Sequence, residues 1–254
     1  MPVSSHNRQA HFFWSRSKGL QNIVSEFSMI RFDSRLSTHF LAAALLAGCL
    51  GGSSAMAANE SITWSDPTPV TSVQQIDTNG TLVHAGRWGG KTVVVHAGGD
   101  LITFTGRKIT SDGSSSALAT TSGQGVYTGA FSGSTGNAKF NSVLDSFAYD
   151  GPNPRVLELR GLIVGHSYEV QVFALDDRDL IKKDHRPGTR VVRLGDQSDF
   201  KGNNSKQFMM KDNDSVIGRF VATGPKVLVY EDEMNPKDHS GNINAYVLRD
   251  VTKK

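Results

Sequence analysis

Cysteine occurs once, at Cys49, in a chain of 254 residues. A lone thiol excludes an intramolecular disulfide framework and any zinc site built on paired cysteines. The chain has no Gly-x-Ser-x-Gly elbow and no His-Glu-x-x-His pair. The glycine-containing stretch Gly86–Gly90 lacks the spacing of a phosphate-cradling loop. The local signatures of serine hydrolases, zincins and P-loop enzymes are therefore missing. Long apolar runs are missing too. Phe40–Leu50 covers 11 residues, against the ~20 that cross a bilayer, and nothing later approaches it. Nor does the body carry an excess charge. The chain has 27 Lys+Arg against 24 Asp+Glu, a net +3. That excess sits before Ala58, where Arg8, Arg16, Lys18, Arg31 and Arg35 face only Glu26 and Asp33. A neutral body argues against nucleic acid, or an anionic membrane, as a partner selected by bulk charge.

What the first 57 residues do contain is the layout of an export signal. Arg31 and Arg35 precede the Phe40–Leu50 run, glycines and serines loosen the chain after it, and Ala55-Met56-Ala57 supplies the small residues of a cleavage site. Residues 1–57 are expected to be a leader and cleavable signal segment, with 1–28 an over-extended start ahead of Met29. Leu46-Ala47-Gly48-Cys49 offers a second reading as a lipobox, with Cys49 lipidated. Both readings place the protein outside the cytoplasm, either secreted, periplasmic or cell-surface, or lipid-anchored in the outer envelope. No transmembrane span is expected.

Residues 58–254 are expected to be one all-β domain. Turn signals recur about every ten residues between short β-branched runs, as in a sandwich or barrel. The clearest strands are Thr92–His96, Leu101–Thr105, Arg155–Leu159, Ser167–Leu175, Thr189–Leu194, Ser215–Ala222, Lys226–Tyr230 and Asn244–Val251. In Ser167–Leu175, Tyr168, Val170, Val172 and Ala174 alternate with Ser167, Glu169 and Gln171, so one face meets a core and the other meets water or loops. Val-His-Ala-Gly recurs at 83–86 and 95–98 and reads as two adjacent strands. Phe140, Val143, Leu144 and Phe147 have helical spacing behind Asn137 as N-cap. They predict one short helix ending near Asp150 and plugging one end of the sandwich.

The stretch Leu159–Arg178 (LRGLIVGHSYEVQVFALDDR) resembles exported β-sandwich modules of bacterial surface proteins. Ser72–Ala85, Asn141–Tyr149, Ile217–Thr223 and Ile243–Arg249 extend the likeness over most of residues 61–251. The layout is similar to galactose-binding-like jelly rolls, such as malectin and several carbohydrate-binding modules. The resemblance implies a jelly-roll sandwich and a non-catalytic role. The charged insertion from Asp179 to Gln207 departs from it.

Candidate chemistry is sparse. Asp176-Asp177-Arg178-Asp179 follows the clearest strand. Its groups suit sugar hydroxyls around Arg178, or Ca²⁺ held by Asp177 and Asp179, or a plain ion pair that orders the loop. Three carboxylates against one guanidinium require further donors, with Lys182, Lys183 and Arg186 nearby in the chain. Trp88, among glycines, is either an exposed platform for a sugar ring or a plug for the sandwich end. The ligand-binding set is thus Trp88, Asp176, Asp177 and Arg178, the metal set Asp177 and Asp179, and no catalytic residue is named. Asp212-Asn213-Asp214 and Glu231-Asp232-Glu233 read as acidic loops without EF-hand spacing. The expected function is recognition of extracellular glycan or polymer. A polysaccharide hydrolase and a purely structural envelope protein are the alternatives. N-terminal sequencing of the native protein is expected to begin at Ala58, or at a lipidated Cys49; a chain that retains residues 1–28 contradicts the export reading.

Overall fold

The computed structural model describes residues 60–107, 119–121, 125–149, 155–178, 190–234 and 242–253. Residues 1–59, with Cys49 among them, and Asp179 lie outside the described residues. The described chain is mostly β-structure with one α-helix. Its strands are β1 (Thr63–Trp64), β2 (Thr68–Pro69), β3 (Thr81–Trp88), β4 (Val93–Ala97), β5 (Asp100–Arg107), β6 (Ala119–Thr121), β7 (Gly125–Thr128) and β8 (Ser146–Tyr149). They continue as β9 (Arg155–Arg160), β10 (Ser167–Phe173), β11 (Val191–Gly195), β12 (Phe208–Met209), β13 (Asp214–Val221), β14 (Lys226–Glu233), β15 (Asn242–Ile243) and β16 (Ala245–Asp250). The helix α1 covers Ala138–Leu144. All eight strands predicted from the sequence are present, with ends shifted by a few residues.

The strands form three sheets. The largest runs β1-β13-β10-β16-β3-β5-β4, with β2 also on β13. A second runs β12-β11-β14-β9-β6, and a small third runs β15-β8-β7. Pairing is antiparallel except between β3 and β5. The β4–β5 hairpin turns on Gly98 and Gly99, both at positive φ, as a two-residue turn between Ala97 and Asp100 demands. Because β5 lies between β3 and β4, the two Val-His-Ala-Gly copies are one strand apart rather than neighbours.

Two apolar cores flank the large sheet. Tyr168, Val170 and Val172 of β10 and Tyr246 and Leu248 of β16 pack against Leu157, Leu159, Val192, Leu194, Val227 and Val229 of the second sheet. The opposite face carries Phe104, Phe173, Ala245 and Val247 and is covered by α1 through Phe140, Val143 and Leu144. The Asn137 side chain caps the helix by accepting the Phe140 N–H at 3.0 Å. The helix therefore roofs a sheet face instead of plugging an end. It also stops at Leu144, and Phe147 belongs to β8. The helical spacing of Phe147 was accidental: its ring instead stacks on Tyr127 of the paired strand, centroids 5.5 Å apart.

This double cover explains β10. Glu169 and Gln171 are buried although they alternate with the inner core. Gln171 donates to the Gln75 carbonyl at 2.9 Å and accepts from the Asp77 N–H at 2.8 Å. Glu169 accepts from Arg219 at 2.6 Å and from Asn79 at 3.1 Å. The second face is thus closed by loops, one of the two environments that the alternation allowed. Val170→Asp is expected to destabilise by more than about 3 kcal/mol, through an unpaired buried charge. Glu169→Lys should cost roughly 1–2 kcal/mol, because it reverses the charge that Arg219 meets. Urea denaturation of both variants checks the ranking, and a neutral Glu169→Lys would place that face in solvent.

Candidate functional site

Beyond Phe173, β10 leaves the large sheet and Asp176, Asp177 and Arg178 follow. Arg178 grips the buried Asp176 carboxylate bidentately, Nε to Oδ1 at 2.6 Å and Nη2 to Oδ2 at 2.5 Å. Asn242 of β15 donates to the same Oδ2 at 3.2 Å. Asp177 faces elsewhere. Its oxygens accept the Ser132 N–H at 2.7 Å, the Gly133 N–H at 3.1 Å and the Asn213 amide at 3.3 Å. Repulsion between the Asp176 and Asp177 carboxylates is thus relieved by separate donor sets, with Arg178 paired to Asp176. N–H donors meet both Asp177 oxygens. Among the described residues no group of three or more His, Cys, Asp or Glu could hold a metal, and Asp179, the second residue of the calcium reading, lies outside them. The lysines and arginine proposed as donors (Lys182, Lys183 and Arg186) lie outside the described residues.

Above this base lies an aromatic surface. The Arg178 guanidinium carbon sits 3.9 Å from the Tyr127 ring centroid and 5.2 Å from that of Phe147. Phe147 is buried, whereas Tyr127 is 39% exposed and Val126 beside it is also exposed. A cation fixed under a half-exposed ring is a pre-ordered platform, since the bidentate pair removes the side-chain freedom that binding otherwise must freeze.

Trp88 is not such a platform. It is fully buried in the core between the two large sheets, its ring centroid 5.7 Å from that of Tyr246. The glycines around it suggested exposure, but β3 aims its side chain inward. The plug alternative is the closer description, although Trp88 fills the core proper. Nearby His84 is buried, with Nδ1 3.1 Å from the Tyr246 hydroxyl. Burial pushes the imidazole down to about 4, so it is neutral at physiological pH. His166 donates from Nδ1 to Asp250 at 2.7 Å. Hydrogen bonds from Thr252 and His166 hold the Asp250 carboxyl down at about 2.

A second charged group was missed by sequence reasoning. Glu231-Asp232-Glu233 is strand, not loop, and Glu231 stands directly across β14–β9 from Arg155. Both side chains are fully buried, Arg155 Nε 4.0 Å from Glu231 Oε2. Arg190 approaches Glu233 at 3.7 Å. The available signal was phase: Glu231 continues the inward set Val227, Val229, and Arg155 continues Leu157, Leu159. Burial pushes the Glu231 carboxyl up to about 7; Arg155 opposes and Glu233 adds to the rise. Asp214 is likewise pushed up to about 6, by burial and then by Asp212.

No protein-family model, curated protein or solved structure matches the chain. The site therefore stands on its geometry alone.

For Glu231 the folded state holds its proton at a higher pH than the unfolded chain, whose carboxyl titrates near 4.5. Stability therefore falls as pH rises from about 4.5 to about 7 and levels off above it. Glu231→Gln should flatten most of that slope, so that the parent and the variant differ in the pH dependence of melting. The Asp214 contribution has the same sign and should persist in that variant. Melting curves from pH 4 to 9 for both proteins check this; superimposable slopes contradict it.

Proposed function

We propose that the protein is an exported, non-catalytic binding module of jelly-roll type that recognises extracellular glycan or a related polymer. The observation that carries this reading is the half-exposed Tyr127 ring seated on the Arg178–Asp176 pair. Sugar rings present C–H faces to aromatic side chains, and a ring already held by a locked guanidinium loses little entropy on contact. The sandwich topology is in keeping with a jelly roll, because from β9 onward the chain passes repeatedly between the two large sheets.

Binding is better supported than hydrolysis. The acids raised toward the proton-transfer range, Glu231 and Asp214, are both buried, Glu231 fully and beside Arg155. The arginine–carboxylate groups are engaged with one another, as in a rigid support. Export follows from the leader pattern in residues 29–57.

Retention on immobilised polysaccharides tests the reading. The parent protein should be retained by at least one matrix without releasing reducing sugar. Tyr127→Ala should weaken retention roughly tenfold, the equivalent of ~1.4 kcal/mol, with little change in melting temperature. Trp88→Ala should instead lower the melting temperature sharply, as a large core truncation. Equal retention of Tyr127→Ala and the parent on every matrix would remove the platform from the binding surface.

A further inference from the structure

Arg87, at the end of β3, is 93% buried by residue surface, with 7% exposed. A buried guanidinium ordinarily comes with a carboxylate, because an unpaired buried charge costs several kcal/mol, on the order of a broken internal ion pair. Arg87 has none within ion-pair distance among the described residues. Its side-chain hydrogen bond runs from Nη2 to the Ser146 hydroxyl at 2.7 Å. That hydroxyl in turn donates to the Trp88 carbonyl, so it meets Arg87 only as a neutral acceptor. Nε is buried without any acceptor. The acidic group whose field reaches it is Asp145, and burial still lowers the pKa of Arg87.

The Gly90 backbone forms part of the cover over the guanidinium. Gly90, exposed and at φ +71°, lies over it, and a Cβ there would stand 3.5–3.6 Å from Nη2, Cζ and Nη1. Lys91, also exposed, follows Gly90 in the chain. The charge is thus buried, short of an anion, and covered on one side by a residue without a side chain.

We propose that Arg87, under Gly90 and beside Ser146, is a subsite for the carboxylate of an acidic sugar. The planar fork of a guanidinium matches a carboxylate bidentately, and an incoming anion would supply the partner that the described residues do not. Ser146 is paired with Thr128 and Phe147 with Tyr127 across β8–β7, so Ser146 and the Tyr127 ring belong to one small sheet at successive register positions of opposite phase. The choice of a sugar acid rests on the glycan-binding reading above and adds to it a class of ligand, uronate-containing polymers.

The test uses the exported protein, with galacturonate, galactose and inorganic sulfate as soluble probes and polygalacturonate against a neutral polysaccharide as matrices. Melting temperature should rise with galacturonate as its concentration passes the dissociation constant, and not with galactose. Arg87→Met should lose that rise while melting no lower than the parent in buffer, since it removes an unpaired buried charge. Should Arg87→Met fail to fold, Arg87→Lys keeps the charge without the fork and should weaken the galacturonate response at least tenfold. An undiminished response in these variants, or none in the parent, overturns the subsite; an equal response to sulfate overturns the assignment to sugar carboxylate. Retention on the neutral matrix with no galacturonate response overturns this inference and leaves the glycan-binding reading. A galacturonate response without retention on any polymer upholds the subsite and overturns that reading.

Discussion

The Asp176 carboxylate is buried just beyond the end of β10, and its partners come from different parts of the chain. Arg178 follows the strand that leaves the large sheet, and Asn242 belongs to the small sheet. Through the Arg178 guanidinium the same carboxylate reaches Tyr127 and Phe147 on two more strands of that sheet. A charged hydrogen-bonded pair in a low-dielectric setting is costly to separate, because either partner alone would be a buried, unpaired ion. The position of the exposed aromatic ring therefore depends on a carboxylate that itself meets no solvent. Asn244 does comparable work with neutral groups. Its side chain accepts the Leu175 N–H and donates to the Leu144 carbonyl, both at 2.8 Å, tying the strand exit to the end of α1.

Around this junction the large sheet is sealed on both faces. Most sandwich sheets turn one face to water, and their strands alternate apolar with polar residues. Here β10 and β16 are buried on both sides over most of their length, so polar residues in the outward phase must find partners inside. Arg249 shows how: its guanidinium donates to the carbonyls of Asp77 and Gly80 and to the Asp100 carboxylate at 2.7, 3.2 and 2.8 Å. Arg87 is the contrasting case. Among the described residues it meets one neutral acceptor, the Ser146 hydroxyl, and no carboxylate at ion-pair distance.

Much of this architecture was legible in the residues. Strand positions followed from β-branched runs between turns, and the helix start from Asn137. The acidic-Arg cluster was seen, and its ion-pair alternative is the arrangement found. The burial of Trp88 was hidden, because local glycines report flexibility while exposure depends on which sheet face a side chain enters. The Arg155–Glu231 pair was hidden as well. Each residue could be assigned a strand phase, but the partner lay 76 positions away in the chain, and only pairing of β9 with β14 made them neighbours.

The amino-acid sequence by itself determined the local order: period-two runs, turn glycines, a capped helical stripe and the charge balance of the body. These are short-range properties, set by backbone sterics and by hydrophobic pattern over a few residues. The tertiary structure alone decided which faces are covered, which charges meet, and that Tyr127 rather than Trp88 remains at the surface. Those outcomes depend on cross-strand register and sheet packing between distant segments, where shifting a strand by one residue would exchange its inward and outward side chains.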